Sequence, residues 1–308
     1  MKKIIKKRFL NGKCEYLFIL PSFIGISLFL VFPLIDVFRR SFVSNTTGDF
    51  NGVENYKSVL SNSAFKLAIT NTAWFTLLCI PLLMIISLIF AALISDMKGS
   101  GEKIKDMFLL PMVIPISSVV LVWNIVFDRQ GLLNSVIGAV NIDWMNSDYA
   151  FIILIISYIW KNLGYNIILW LAGLSGISHS IYEAANVDGA SKVKSFIYIT
   201  LPNLRYTIFM VSIISVINSF KVFREAYLVS GEYPDTSIYM MQNLFNNWLG
   251  DMAIDKIAAG AVMFGILIFI ALVIVVILIN KIVLVSKERK ENSKSLFDIF
   301  DKTKSIIP

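Results

Sequence analysis

Six apolar stretches, each long enough to cross a hydrocarbon layer as a helix, constrain this 308-residue chain more than any other feature. A core of about 30 Å needs about 20 helical residues. The stretches run from Glu15 to Ile35, Ala68 to Ile94, Met107 to Phe127, Tyr149 to Ser175, Tyr206 to Phe223 and Ile257 to Val285. They lack the alternating pattern of a membrane barrel. Composition agrees: 56% of residues are hydrophobic, 16% are charged and the mean hydropathy is +0.72. A soluble domain cannot bury so much apolar surface, so the surplus faces lipid. The expected fold class is all-α, a polytopic membrane protein with six transmembrane helices. The first stretch lacks a small-x-small cleavage site and five more follow it, which predicts a retained anchor rather than a signal peptide.

Orientation follows from the basic residues. With the N-terminus inside, the inner segments hold Lys2 to Lys13, then Lys98, Lys103 and Lys105, then Lys192, Lys194 and Arg205, then a lysine-rich tail. The outer segments keep Arg39, Arg40, Lys57, Lys66, Arg129, Lys221, Arg224 and Lys256. This asymmetry is the positive-inside pattern and places both termini in the cytoplasm, in a plasma membrane. The net charge of +7 is therefore topological. No stacking platform or motif suggests nucleic acid as a partner.

The organisation reads as a basic cytoplasmic N-terminus over 1–14, a first helix and polar outer loop over 15–67, a five-helix block over 68–285, and a cytoplasmic tail over 286–308. Pro81, Pro111 and Pro115 fall inside apolar runs, where neighbouring helices can satisfy the freed carbonyls around a kink. Cys14 and Cys79 offer neither a disulfide framework nor a metal site and read as packing residues.

Chemistry of its own is sparse. Gly99 to Lys103 has a faint phosphate-loop flavour but lacks the G-x-x-x-x-G-K-[ST] spacing and reads as a turn. No nucleotide site, metal or bound cofactor is expected in this chain. The apolar centres hold essentially no Asp or Glu, which counts against an ion-coupled secondary sugar transporter, the alternative reading. Gly173 to Gly176 spells the G-x-S-G of an intramembrane serine protease. The sole histidine, His179, lies beside it near the membrane surface, a poor position for a general base, and reads as a solvated loop residue.

Polar and aromatic groups within the spans are candidates for a transport pathway. Trp160 lies about 16 Å along the fourth span, near mid-membrane, followed by Lys161 and Asn162. Ser215, Asn218, Ser219 and Lys221 fall in the middle to outer part of the fifth. Aromatic faces and hydrogen-bonding groups suit sugars, but Ser and Asn also serve as interhelical glue and Trp as packing. Buried lysines cost about 2.5–3.5 kcal/mol each at a helix centre unless they reach water or a partner. Glu225, four residues beyond Lys221, is one such partner.

The segment from Glu183 to Pro202 is polar, turn-containing and framed by apolar runs. Glu183, Ala184 and Ala185 favour helix; Asp188-Gly189 is a turn dipeptide; a second helix can restart near Ala190 and end at Pro202. E-A-A-x-x-D-G-A, then Phe196, then I-x-L-P ending at Pro202, resembles the EAA loop of the membrane subunits of binding-protein-dependent ABC importers. The resemblance extends from Tyr16 to about Ile282. It includes Tyr16 to Pro21, Asn51 to Tyr56, Phe108 to Pro111, Trp160 to Asn166 and Phe220 to Phe223, and is similar to the first of the paired permeases of carbohydrate importers. One departure is Ser230 to Pro234, where the family usually carries Gly-Gly-Pro.

The resemblance implies a loop over about 181–202 whose residues Glu183, Ala184, Ala185, Asp188, Gly189 and Ala190 couple to an ATPase. It implies a heterodimer with a second permease, two ATPase subunits that bind ATP and magnesium, an extracytoplasmic solute-binding protein, and a carbohydrate substrate. By resemblance to the maltose system, Trp160 and Asn162 on the fourth helix and Ser215 and Ser219 on the fifth match sugar contacts. Lys161 and Lys221 recur in this branch, so these two alone do not make the substrate anionic.

Overall fold

The computed structural model describes residues 18–97, 101–138, 142–221, 224, 226–227, 231–277 and 281. Cys14, Glu225 and the tail over 286–308 lie outside these residues, as does Ser230 of the departing loop.

Twelve helices account for the described residues that concern us. They are α1 (Phe18–Arg40), α2 (Glu54–Ser61), α3 (Ser63–Ser95), α4 (Gly101–Val113), α5 (Ile116–Phe127), α6 (Leu132–Ile137), α7 (Ala150–Ser175), α8 (His179–Val187), α9 (Lys192–Asn203), α10 (Arg205–Ser219), α11 (Met241–Gly250) and α12 (Ile254–Ile277). Five stretches among the described residues are long and apolar enough to cross a membrane: Phe18–Arg40, Ser63–Ser95, Ile116–Ile137, Ala150–Ser175 and Ile254–Ile277. A sixth arises if α9 and α10, bent by 70° at their junction, count as one span.

Two expected spans are revised. The third does not run unbroken from Met107 to Phe127, because Ile114 and Pro115 interrupt it between α4 and α5. Proline disfavours helical geometry in the residue before it and lacks the N–H to continue the ladder. Pro115 instead sits extended at the start of α5, its carbonyl accepting from Ser118 and Val119. Pro111, by contrast, is held within α4 and Pro81 within α3. The expected turn over 99–103 also yields, since Gly101 already opens α4. Among the described residues the fifth span is represented by α10, whose 15 residues reach about 22 Å, and it counts as a span when taken together with α9.

The chain forms two compact units. One joins the residues up to Lys66 with Phe245–Leu267. Within it Asn55 donates to the carbonyls of Ser41 and Val43, and the Ser41 hydroxyl meets that of Tyr56 at 2.7 Å. Asn45 donates to the Met252 carbonyl at 2.7 Å, and Phe65 stacks on Trp248. The apolar window of α1 has no buried residue.

The other unit holds Leu67–Leu244 and the chain from Ile268. Its core is built on α7. Phe75, Leu83, Leu154, Tyr158 and Ile238 pack at one end, and Ala91, Ile94, Ile167, Trp170, Leu204 and Val211 at the other. The Trp170 indole donates to Ser87 at 2.9 Å, so the one polar atom of a fully buried ring is satisfied. α4 crosses α7 at Gly164, where the missing side chain lets the Phe108 carbonyl come close.

Candidate functional site

Two features of this second unit stand out. The first is a cavity of about 480 Å³ between α7 and α10. α7 contributes Tyr158, Lys161, Asn162 and Tyr165; α10 and the residues after it contribute Ile214, Ile217, Asn218 and Lys221. Both sets follow the i, i+3, i+4, i+7 spacing of a single helix face. The two faces therefore oppose each other along their lengths. Asn162 donates to the Tyr158 carbonyl at 2.9 Å, and Lys221 donates to Asn218 Oδ1 at 3.1 Å. Arg224 and, from the α4–α5 break, Met112 and Ile116 complete the lining.

The expected pathway residues divide between this cavity and its supports. Lys161, Asn162 and Lys221 line it. Ser215 and Ser219, expected to face it, are instead buried and do not line it. Ser215 Oγ accepts from Asn166 at 3.0 Å, its carbonyl accepts from the Tyr158 hydroxyl at 2.6 Å, and Ser219 donates to the Val216 carbonyl. Small residues allow close helix approach; the two bonds to Ser215 tie α10 to α7, while Ser219 satisfies its hydroxyl within its own helix. Trp160 does not line the cavity either. It turns toward α5 and meets Trp123 edge-on at 5.5 Å, while the Trp123 indole donates to Ser157. Asn218, named among the polar groups of the fifth span, does line the cavity; Tyr165 and Arg224 line it too and were not among the candidates. The signal was the spacing of Asn218 and Lys221 with Ile214 and Ile217, against which the serines at i, i+4 mark the packed face.

The second feature is the helical pair α8 and α9. Gly189 has φ +74°, and an added Cβ there would meet nothing within 4 Å, so the restriction is conformational rather than steric. The Gly189 N–H reaches the Asn186 carbonyl at 3.1 Å and the Ala190 N–H reaches that of Ala185 at 2.9 Å. That pair of bonds is a Schellman stop, in which a left-handed residue closes a helix and returns its last carbonyls to service. Ala185 is buried beneath it. Ser191 then caps α9 by accepting from the Lys194 N–H, and the Tyr182 and Thr200 hydroxyls join the two helices at 2.8 Å. Glu183, Ala184 and Asp188 are left exposed at the tip. Both Pro202 and the residue after it are still helical, and the chain turns only at Leu204.

A second cavity of about 800 Å³ lies behind this pair, lined by Asp96, His179, Tyr182, Asn186 and Lys192 among others. His179 is exposed, and Ser175 donates to the Ala172 carbonyl at 2.9 Å rather than to an imidazole. The G-x-S-G stretch thus lacks the hydroxyl–base pair a serine protease needs.

The family description "binding-protein-dependent transport system inner membrane component" matches residues 74–287. The chain belongs to this family. Among its relatives, the trehalose/maltose transport system permease MalF of Thermococcus litoralis is 30% identical over 264 residues, 82% of this chain and 89% of its own. The sulfoquinovosyl glycerol transport system permease SmoG of Agrobacterium fabrum is 32% identical over 74% of this chain and 79% of its own. A solved bacterial ABC transporter involved in import of the acidic polysaccharide alginate superposes with a TM-score of 0.73 over 92% of this permease and 98% of that chain, at 23% identity. The fold is that of an ABC importer permease.

Proposed function

We propose that this permease is half of the translocation pathway of an ATP-driven importer for a carbohydrate. The observation that carries the reading is the run of relatives about 30% identical over most of both chains, among them permeases for trehalose/maltose, arabinooligosaccharides and sulfoquinovosyl glycerol. A second permease subunit pairs with it, two ATPase subunits that bind ATP and magnesium dock beneath, and a solute-binding protein delivers the sugar from outside. A binding-protein-bound state solved for a structurally similar alginate transporter is in keeping with this.

The α8–α9 pair is the coupling loop in this reading. Its tip presents Glu183, Ala184, Asp188 and Gly189 on a rigid turn, with Ala185 and Ala190 fixing the turn from behind. Both termini and this pair face the cytoplasm. The α7–α10 cavity is this subunit's share of the pathway, with Lys161, Asn162, Asn218 and Lys221 toward the sugar and Trp160, Ser215 and Ser219 shaping the wall. Alternating access would move the two permeases as bodies about this cavity.

The test is Gly189→Val and, separately, Glu183→Lys in the assembled transporter. A β-branched residue at positive φ costs about 1–2 kcal/mol locally, too little to remove a protein of this size from the membrane. Both variants should insert and assemble yet lose sugar uptake and sugar-stimulated ATP hydrolysis. Uptake at the wild-type rate in both would refute the coupling role.

A further inference from the structure

A short turn joins α8 to the rest of its unit at each end, Gly176 to Ser178 before it and Asp188 to Ser191 after it. Turns of this kind are where hinge motion is absorbed, so α8 keeps one soft movement, a roll about its own axis. A side-chain bond opposes that roll. The Tyr182 hydroxyl lies 2.8 Å from Thr200 Oγ1 on α9, and neither hydroxyl has another hydrogen-bond partner among the described residues. Glu183 follows Tyr182 directly, about 100° round the helix. The bond that holds Tyr182 therefore also sets where Glu183 points.

Thr200 is placed for this bond rather than for local use. Other buried helical hydroxyls in the chain donate to the carbonyl four residues back: Thr72 to Ala68, Ser87 to Leu83 and Ser212 to Ile208. That is the ordinary habit of Ser and Thr inside helices. Thr200 is buried as well, yet forgoes it. The Phe196 carbonyl four residues back receives the Leu201 N–H and closes a π turn over Phe196–Thr200, a rare helix form found frequently at functional sites. Tyr182 and Thr200 both border the cavity of about 800 Å³, so water can replace a lost partner. The bond thus contributes orientation more than stability.

We propose that the Tyr182–Thr200 hydroxyl pair is a positioning device for coupling, which locks α8 to α9 against rolling so that Glu183 keeps its aim and movement of the tip passes to α10. The inference rests on the α8–α9 pair being the coupling loop.

Ile217, exposed on the lining of the α7–α10 cavity, supplies a readout that needs no sugar. In the complex purified with its co-expressed partner subunits, from a chain without Cys14 and Cys79, Ile217→Cys is alkylated with N-ethylmaleimide and read by mass spectrometry of this chain. The reaction is run without nucleotide and after trapping with ATP and vanadate. Trapping should change the alkylation rate. Tyr182→Phe and Thr200→Val each remove one hydroxyl at nearly constant volume, and should shrink that change by about threefold or more in complexes that retain full subunit stoichiometry and still hydrolyse ATP. Thr200→Ser keeps the hydroxyl and should stay within about twofold of the unsubstituted complex. The double variant should lose no more than either single one, because both act through one bond.

A full response in Tyr182→Phe and Thr200→Val, or a loss in Thr200→Ser as large as in Thr200→Val, overturns the proposal. Failure of both hydroxyl variants to assemble would make the pair structural and overturns it as well. If the hydroxyl variants respond fully while Gly189→Val abolishes the response, the coupling reading stands and only the role of the hydroxyl pair falls. A response that survives Gly189→Val too, or that is absent from the unsubstituted complex, sinks both.

Discussion

Gly164→Ala is the most severe test of the packing that shapes the cavity. A Cβ built on Gly164 would lie 1.9 Å from the Phe108 carbonyl oxygen, 2.4 Å from its carbon and 3.0 Å from the Leu109 nitrogen. All three are backbone atoms, so no rotamer change relieves the clash. Restoring an ordinary contact of at least 3.4 Å requires α4 to retreat from α7 by about 1.5 Å. Overpacking of this kind costs about 1–3 kcal/mol, which shifts a folding or assembly equilibrium by a factor of roughly 5–150 at 1.4 kcal/mol per tenfold. The displacement also moves Met112 on α4, one wall of the cavity whose opposite face carries Lys161, one turn from Gly164. The assay is thermal stability of the detergent-solubilised complex alongside uptake in cells. Both should fall. Gly265→Ala, where an added Cβ meets nothing within 4 Å, is the control and should leave stability at or slightly above wild type. If Gly164→Ala matched Gly265→Ala in both measurements, the close α4–α7 crossing would be wrong.

Other outcomes follow from the cavity and the topology. Asn218→Ala should lower uptake by about fivefold or more, as expected for a lost hydrogen bond to substrate, while Ser219→Ala should change it by less than about twofold; the reverse order in transport assays would put the serine face back toward the sugar. Asn51→Cys should react with an impermeant thiol reagent added to intact cells and Ser191→Cys only after permeabilisation, in a background without Cys14 and Cys79. Labelling of Ser191→Cys from outside would invert the orientation.

Most of the architecture was legible because hydrophobic length is a strong signal. The spans led by Ala68 and Tyr149 correspond to α3 and α7, and the Asp188-Gly189 turn lies at positive φ as the dipeptide predicts. The third span failed for a stated reason: hydropathy does not distinguish Pro111, tolerated within a helix, from Pro115, which ends one, since the difference lies in what surrounds the backbone. Helix faces were harder. Ser215 and Asn218 are three residues apart and equally polar, yet one packs on Tyr158 and Asn166 and the other lines the cavity. Only knowledge of which side of α10 meets α7 separates them. The same applies to Trp160 and Lys161, adjacent in sequence and turned to different neighbours.

The 70° bend at Leu204 makes α9 and α10 the two arms of a crank. Leu204 itself is wholly buried, and its backbone remains in service on both sides, donating to Thr200 and accepting from Ile208. Just beyond the bend, Thr207 closes on Gly173 of α7 so tightly that no Cβ would fit, which fixes the axle. Asn218 lies about 20 Å up the far arm. A tilt of about 10° there would carry it about 3 Å, the length of a hydrogen bond. If the α8–α9 pair is the coupling loop proposed above, a push at the Asp188 tip would reach Asn218 through the two arms of this crank rather than from side chain to side chain.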